Sequence, residues 1–169
     1  MEKIIDEVVE DSQVDRYLAF SVDCTVIGLE INIVSEIISM IPITQVPEAP
    51  NYVKGVINLR GKILPVIDMR LKFKKEFIEY SERTCIVVVD MADIPVGLIV
   101  DNVEEVLYIP EESIVPPPDF KTGIQNRYIK GIGKIDNQVK LLLDCERILS
   151  DEEFEEFSKI NEIITAEER

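Results

Sequence analysis

Residue types that carry out most enzyme chemistry are sparse in this chain of 169 residues. It has no histidine, which excludes histidine phosphotransfer, Ser-His-Asp or Cys-His catalysis and histidine metal ligands. The three cysteines are scattered, with no C-x-x-C spacing. Cys85 and Cys145 lie in or beside apolar runs, so we interpret them as small core residues. An odd cysteine count without a secretion signal predicts free thiols in a reducing cytoplasm.

Acidic residues offer only weak catalytic candidates. Asp90 and Asp101 each close an apolar run, as an acceptor aspartate does in phosphoryl-receiving domains. Those domains alternate strands with full helices, whereas the neighbouring segments here are typical of strands, so we interpret both as solvated strand ends. Glu104-Glu105 occupies adjacent strand positions, whose side chains point to opposite faces. Gly131-Ile132-Gly133 lacks the strand-to-helix context of a phosphate loop and indicates a bulge or a close backbone approach.

One arginine does suggest a function, because it stands at the tip of a tight turn. Residues 46–70 read VPEAPNYVKGVINLRGKILPVIDMR, two β-rich runs on either side of Leu59-Arg60-Gly61-Lys62. Glycine takes positive φ in such a turn at little cost. An exposed arginine offers a rigid fork of donors to a partner's carboxylate or carbonyl. Since no nucleophile or general base accompanies it, the segment indicates a surface that binds protein.

The net charge of −15 is concentrated at the two ends of the chain. Residues 1–15 carry six acids and one base, and residues 151–169 carry eight acids and two bases. We interpret this acidity as solubility and a charged surface helix. A basic footprint for nucleic acid is missing. The longest apolar runs are strand-sized, so no membrane-spanning helix is predicted.

The elements that must position the arginine turn are mostly short strands separated by turn signals, which is typical of an all-β barrel or sandwich. From Ile31 the apolar period changes to three or four residues, which predicts a short helix over 31–41 that Pro42 ends. Pro65 cannot donate to a ladder, so its strand is expected at a sheet edge or at a bulge. Asp101-Asn102 is expected to form a tight turn. The predicted strands are 16–22, 25–29, 52–59, 62–67, 84–89, 96–100, 103–108, 128–134 and 138–143.

Further local predictions concern the helices and the irregular segments. Residues 69–77 are expected to contain a short helix, and 118–128 to remain irregular. Ser150-x-x-Glu153 is a capping-box signature that predicts a terminal helix lying on the body of the domain. Residues 1–13 form too short an amphipathic segment to be stable alone. The apolar face of the terminal helix comprises Phe154, Phe157, Ile160 and Ile164.

The arginine turn and its flanks closely resemble the CheW family of coupling proteins in bacterial chemotaxis. The residues that carry the resemblance are Gly55, Asn58-Leu59-Arg60-Gly61, Pro65 and Ile67-Asp68. The likeness runs from about residue 16 to residue 150, in blocks that keep the family's order. The other blocks are 17–20, 28–31, 34–37, 96–106, 117–118, 131–133 and 141–144.

This resemblance implies a mainly β fold, in which two small five-stranded SH3-like barrels share a hydrophobic core, with short helices and a C-terminal helix. The chain then divides into an acidic N-terminal extension (1–15), a CheW-like domain of two intertwined barrel subdomains (16–150) and an acidic C-terminal helix (151–169). It also implies a non-enzymatic adaptor with no cofactor, in the cytoplasm at receptor arrays beside the inner membrane face.

The partners implied by the resemblance are the regulatory domain of the histidine kinase CheA and the cytoplasmic tip of a methyl-accepting chemoreceptor, with no nucleic acid and no membrane insertion. Apolar residues at the barrel junction would accept an amphipathic receptor helix, and rim charges would orient it. We predict that Glu36 and Arg60 lie close enough to pair. The family's coupling and binding positions fall on Val34, Glu36, Ile37, Gly55, Asn58, Arg60, Gly97, Val103 and Val106.

The alternatives that remain open at the level of sequence fall into three classes: another coupling module, a nucleic-acid-binding protein and an enzyme. A CheV-like protein would need a receiver domain, and only about 19 residues follow Ser150. A kinase-derived coupling module would come from a chain with a nucleotide-binding domain and a phosphorylatable histidine. A small-barrel nucleic-acid-binding protein is opposed by the acidic balance and the lack of tryptophan. An enzyme is opposed by the missing histidine and the lack of a convergent catalytic set.

Overall fold

The computed structural model describes residues 14–117 and 128–149, together with Glu155 and Lys159. Between residues 14 and 149 the described chain forms eleven strands and one short α-helix, α1 (Met69–Lys72), joined by turns and 3-10 segments. The strands are β1 (Arg16–Val22), β2 (Thr25–Glu30), β3 (Val34–Ser39), β4 (Val53–Leu59), β5 (Lys62–Asp68), β6 (Cys85–Met91), β7 (Ile94–Val100), β8 (Asn102–Tyr108), β9 (Ile114–Val115), β10 (Ile129–Ile135) and β11 (Gln138–Leu143).

The strands form two sheets that the chain visits in turn. The terminal sheet has the order β8-β1-β2-β11-β10-β9, and the central sheet has the order β3-β6-β7-β5-β4. The chain therefore starts in the terminal sheet, builds the whole central sheet and then returns. This confirms the mainly β fold. The terminal sheet has six strands rather than five because the two-residue strand β9 pairs with β10.

A backbone bridge closes the central sheet into a barrel. After β3 the chain runs to Thr44, whose N–H donates to the carbonyl of Val56 at 2.9 Å, while the Val56 N–H donates back at 2.8 Å. Val56 belongs to β4, the strand at the opposite edge from β3. The two edges therefore meet, and fewer strand groups are left unpaired.

The two sheets share one hydrophobic core. Phe20 and Leu29 from the terminal sheet belong to the same buried cluster as Val87 and Leu98 from the central sheet. A smaller cluster lies inside the central barrel, and another lies under the terminal sheet. Full burial of each such side chain stabilises the fold by about 1.5–3 kcal/mol. The predicted common core is confirmed.

The helix predicted over residues 31–41 is wrong. A 3-10 turn covers only Ile31–Ile33, and the chain then enters β3, which pairs antiparallel with β6. Half-buried and exposed residues alternate along β3, as a strand requires. The β-branched Val and Ile residues of this segment favour a strand as soon as a neighbouring strand is available.

The prediction for Pro65 is also wrong, because β5 is an interior strand between β7 and β4. The parallel ladder to β7 starts one residue later, at Val66, so the missing N–H of Pro65 removes no ladder bond there. The bulge in this hairpin lies on β4, between Val53 and Gly55. Asp101 forms a bend rather than a hairpin turn, since it passes the chain from β7 in the central sheet to β8 in the terminal sheet.

Other local predictions are confirmed where the structure describes them. The short helix after β5 forms, although α1 spans only four residues. The β10–β11 hairpin turns at Asp136-Asn137, and the β10 ladder shifts register between Ile129 and Gly131, which is the predicted bulge. Of the predicted terminal helix, Glu155 and Lys159 are helical and exposed. The rest of that helix, residues 1–13 and the segment 118–127 lie outside the described residues.

Candidate partner-binding surface

The β4–β5 hairpin holds an arginine out into solvent. Its two-residue turn places both Arg60 (φ 52°) and Gly61 (φ 85°) in the left-handed region, which matches the twist of the flanking strands. The Gly61 N–H donates to the Asn58 side-chain oxygen at 2.8 Å, so Asn58 stabilises the turn. The Arg60 side chain is 73% exposed. The turn therefore presents the guanidinium group rather than burying it.

Glu36 on β3 forms an ion pair and hydrogen bond with this arginine, between its Oε2 atom and Arg60 Nη2. The predicted pairing of Glu36 with Arg60 is confirmed. The two residues meet because barrel closure brings the edge strand β3 close to the β4–β5 hairpin. Since the pair is largely exposed, it contributes at most about 1 kcal/mol to folding.

The strand that carries Glu36 also carries apolar residues. Ile37, the neighbour of Glu36, is 42% exposed, which is high for a large aliphatic side chain. Val34 is half-buried and packs against the shared core. Because adjacent strand residues point to opposite faces, Ile37 lies on the other face of β3 from Glu36 and offers a separate apolar contact to a partner.

Two of the predicted site residues are buried glycines, where the neighbouring chain packs too closely to allow a side chain. Gly55 has a φ of 144°, and a Cβ at this position would lie 2.0 Å from the carbonyl oxygen of Thr44. Gly97 lies against Ile86 and Val66, each 2.8 Å from the position of a Cβ. Both positions exclude a side chain, so neither glycine offers one to a partner.

Val103 and Val106 lie on β8, at the edge of the terminal sheet rather than beside the arginine hairpin. Val103 is half-buried and packs against the shared core. Val106 is 48% exposed. The predicted residues on β3, β4, the β4–β5 turn and β7 thus belong to the central sheet, whereas those on β8 belong to the terminal sheet.

The sequence model of the family described as "CheW-like domain" matches residues 16–153. The chain belongs to the CheW-like family. Chemotaxis protein CheW of Klebsiella aerogenes is 36% identical over 138 residues, which cover 82% of this chain and 83% of that protein. Chemotaxis protein CheW of Thermotoga maritima is 31% identical over 137 residues, covering 79% and 87% respectively. The crystal structure of the scaffolding protein TtCheW from Thermoanaerobacter tengcongensis matches with a TM-score of 0.72 and 38% identity, covering 77% of this chain and 88% of that one.

Membership of the CheW-like family assigns a coupling-adaptor role in chemotaxis to this chain. The family consists of non-enzymatic scaffold proteins. Among the residues that the structure describes, no three His, Cys, Asp or Glu side chains come together as a metal site. No helix in the same part of the chain is long and apolar enough to cross a membrane.

An ion cluster in this CheW-like domain was missed by the sequence interpretation. Arg70 on α1 donates from Nε to both carboxylate oxygens of Asp101, at 2.8 and 2.9 Å, and its Nη1 lies 3.3 Å from Asp23. The Asp23 N–H donates to Asp101 at 2.8 Å. Only 14% of the Arg70 side chain is exposed. The cluster joins the β1–β2 turn, α1 and the β7–β8 crossing, and so ties the two sheets together.

Asp101 is therefore a structural residue and not merely a solvated strand end. One signal for the position of Arg70 was present in the sequence: Arg70 comes two residues after Asp68, at the start of the predicted short helix. The Asp68 carboxylate accepts from the Arg70 N–H at 2.9 Å and caps α1. It also accepts from the Tyr80 hydroxyl at 2.9 Å. Burial, and then the bond to Asp68, raises the pKa of Tyr80.

A second group of titratable residues lies beside the end of β11. Lys130 forms an ion pair with Glu30, and burial lowers the pKa of its ammonium group. Burial, and then the nearby Asp144 carboxylate, raises the pKa of the Cys145 thiol to about 12. A thiol with so high a pKa is unreactive at neutral pH. This agrees with the interpretation of Cys145 as a core residue.

Proposed function

We propose that this chain connects the regulatory domain of the chemotaxis kinase CheA to the cytoplasmic tip of a chemoreceptor and catalyses no reaction itself. The observation that carries this proposal is the exposed Glu36–Arg60 pair at the edge of a closed barrel, on a strand whose other face exposes Ile37. The family to which the chain belongs supports the same role. The adaptor then works in the cytoplasm, where receptor tips and kinase meet.

The residues of this surface can both bind a partner and fix the orientation in which it binds. Ile37 supplies an apolar contact that loses water when a partner covers it. Arg60 and Glu36 can exchange part of their mutual pairing for hydrogen bonds to the partner, which fixes the partner's orientation more than it adds affinity. Asn58 contributes by holding the turn that presents Arg60.

The remaining site residues act through the shape of the strands. A side chain at Gly55 or Gly97 would displace its neighbours and so distort β4 or β7. Val34 and Val103 anchor β3 and β8 to the shared core. Substitutions at these four positions are expected to alter the binding surface, although the four residues themselves do not contact a partner.

Capture of CheA from the same organism tests this function. Immobilised wild-type protein should retain CheA, and the Arg60→Ala and Val34→Asp variants should retain less of it or of the receptor fragment. Lys62→Ala is the matched control, because it removes an exposed cation from the same hairpin outside the pair. Failure of the folded wild-type protein to bind either partner at micromolar concentration would contradict the proposal.

A further inference from the structure

The helix α1 ends in a buried lysine. Lys72 is the last residue of this helix, and only 7% of it is exposed. Lysine is almost never buried to this extent unless specific partners stabilise its charge. The burial of Lys72 therefore indicates a role for its ammonium group that an apolar side chain at the same position would not perform.

Two tyrosine rings, one next to each sheet, contact this ammonium group. The Lys72 Nζ atom lies 4.1 Å from the centre of the Tyr52 ring and 5.5 Å from the centre of the Tyr128 ring. Both distances are within the range in which the face of an aromatic ring attracts a cation. Lys72 thus makes cation–π contacts with two rings at once.

Each tyrosine is fixed to its own sheet. Tyr52 directly precedes β4, and its carbonyl oxygen accepts from the N–H of Asp68, at the end of β5, at 2.7 Å. Tyr128 directly precedes β10, and its carbonyl oxygen accepts from the N–H of Asp144, which follows β11, at 2.8 Å. A movement of one sheet relative to the other would therefore move one of the rings relative to Lys72.

Other side chains of the same segment also reach the terminal sheet. The centre of the Phe73 ring lies 5.9 Å from the centre of the Tyr128 ring, with 41° between the ring planes. Arg70 contacts Asp23 in the turn between β1 and β2. Because α1 follows directly after β5 of the central sheet, these contacts join the two sheets.

The charge of Lys72 makes its contacts directional. An aromatic ring attracts a cation at its face and not at its edge, so the ammonium group is stabilised only when both rings turn their faces toward it. An apolar side chain of similar length would fill the same space in several arrangements, because hydrophobic contact has no direction. In some proteins a buried polar or charged group selects one arrangement in this way, at a cost in stability.

We propose that Lys72 is a positioning residue, which sets the arrangement of the central sheet relative to the terminal sheet and so the arrangement of the two bound partners. The shared core supplies most of the stability, and Lys72 selects one arrangement of the sheets around that core. The effect on the partners rests on the proposed function, whereas the effect on the sheets does not depend on it.

Residual dipolar couplings of the backbone N–H groups measure the relative orientation of the two sheets in solution. In the wild type, the couplings of both sheets should fit a single alignment tensor. In Lys72→Met they should need two tensors, because methionine keeps the apolar stem and lacks the cation. Lys72→Arg should restore the single tensor, since a guanidinium group also stacks on ring faces.

Lys54→Met is the matched control. The Lys54 Nζ atom lies 4.4 Å from the centre of the Phe77 ring, so this variant also removes a lysine–aromatic contact. Lys54 lies on β4, and Phe77 lies in the chain between β5 and β6, which are all strands of the central sheet. The control should therefore keep the single tensor.

Receptor-dependent kinase activity extends the test to the partners. Receptor-containing vesicles and CheA from the same organism are mixed with each variant. Lys72→Met should sediment CheA with the vesicles as the wild type does, because Lys72 is buried outside the candidate partner-binding surface. The change in CheA activity that the receptor causes should nevertheless fall about fivefold or more, because the partners are no longer held in one arrangement.

The inference is overturned if Lys72→Met fits the single tensor of the wild type, or if Lys72→Arg behaves like Lys72→Met. Where melting curves show that Lys72→Met does not fold, Tyr128→Leu decides, because it removes the ring on the side of the terminal sheet and should also need two tensors. Unchanged receptor control of CheA in Lys72→Met would overturn the effect on the partners. Wild-type protein that binds neither partner would instead overturn the proposed function, while the dipolar couplings would still decide whether Lys72 positions the sheets.

Discussion

At the scale of single residues, the site depends on backbone geometry as much as on charge. Arg60 is presented outward because it and Gly61 adopt positive φ in a two-residue turn, and the Asn58 side chain stabilises that turn. The sequence predicted this turn and the Glu36–Arg60 pair, since both depend on local turn chemistry and on the family pattern. It did not predict that Arg60 itself takes positive φ, which is uncommon outside glycine, asparagine and aspartate.

Arg60→Glu separates binding from folding. The ion pair is exposed and contributes at most about 1 kcal/mol, so the melting temperature should change by no more than about 5 °C. Binding of the partner on the β3 surface should fall, because the reversal places a carboxylate beside Glu36. Calorimetry and a binding titration on one sample measure both effects. A large loss of melting temperature would make Arg60 a structural residue instead.

Gly55→Ala should destabilise the fold more than Gly61→Ala. At Gly55 a Cβ meets the Thr44 carbonyl oxygen at 2.0 Å, which forces the closing bridge of the barrel to shift, at a cost of about 3 kcal/mol. At Gly61 nothing lies within 4 Å, and only the positive φ costs about 1 kcal/mol. Urea unfolding of the two variants measures the difference. Equal losses would contradict the close approach at Gly55.

Cys145 makes stability depend on alkaline pH. Its folded pKa of about 12 exceeds the value of about 8.5 for an unfolded cysteine, so the folded state holds the thiol proton more tightly. The resulting stabilisation is present below about pH 8.5 and declines as the pH rises toward 12. The difference in unfolding free energy between wild type and Cys145→Ala should therefore shrink from pH 8 to pH 10.5. A constant difference across that pH range would contradict the raised pKa of the buried Cys145 thiol.

At the scale of elements, long-range pairing decides what local pattern leaves open. The apolar residues Ile31, Val34 and Ile41 fit a helical period, but Val34 and Ile38 also fit the alternation of a strand. Pairing with β6 selects the strand, and no residue within the segment specifies that partner. The hairpins were easier to predict, because their turn residues and flanking strands are contiguous in sequence.

Asp101→Asn tests the cluster that ties α1 to both sheets. The change removes the charge that receives two bonds from Arg70, so it should lower the free energy of unfolding by about 2 kcal/mol. Asp90→Asn is the control, since Asp90 also lies toward the end of an apolar strand but is exposed. Chemical denaturation of both variants gives the comparison. If the two variants lose equal stability, Asp101 has no special structural role.

At the scale of the whole molecule, two sheets built on one hydrophobic core hold the candidate residues in fixed positions. The central sheet carries Glu36, Ile37 and Arg60, and the terminal sheet carries Val103 and Val106 on β8. The family pattern predicted the two barrels and their common core, but the order in which the chain forms the two sheets required the structure. Because the shared core fixes the barrels to each other, partners bound to the two sheets are held in a defined arrangement.

A bridging assay with receptor-containing vesicles and the CheA regulatory domain tests whether this protein joins receptor and kinase. The vesicles are sedimented with the kinase domain in the presence and absence of this protein. The kinase domain should sediment when the adaptor is added and should stay in solution when the Arg60→Glu variant replaces it. Sedimentation of the kinase domain that is independent of the adaptor, or equally efficient with the variant, would contradict the adaptor role.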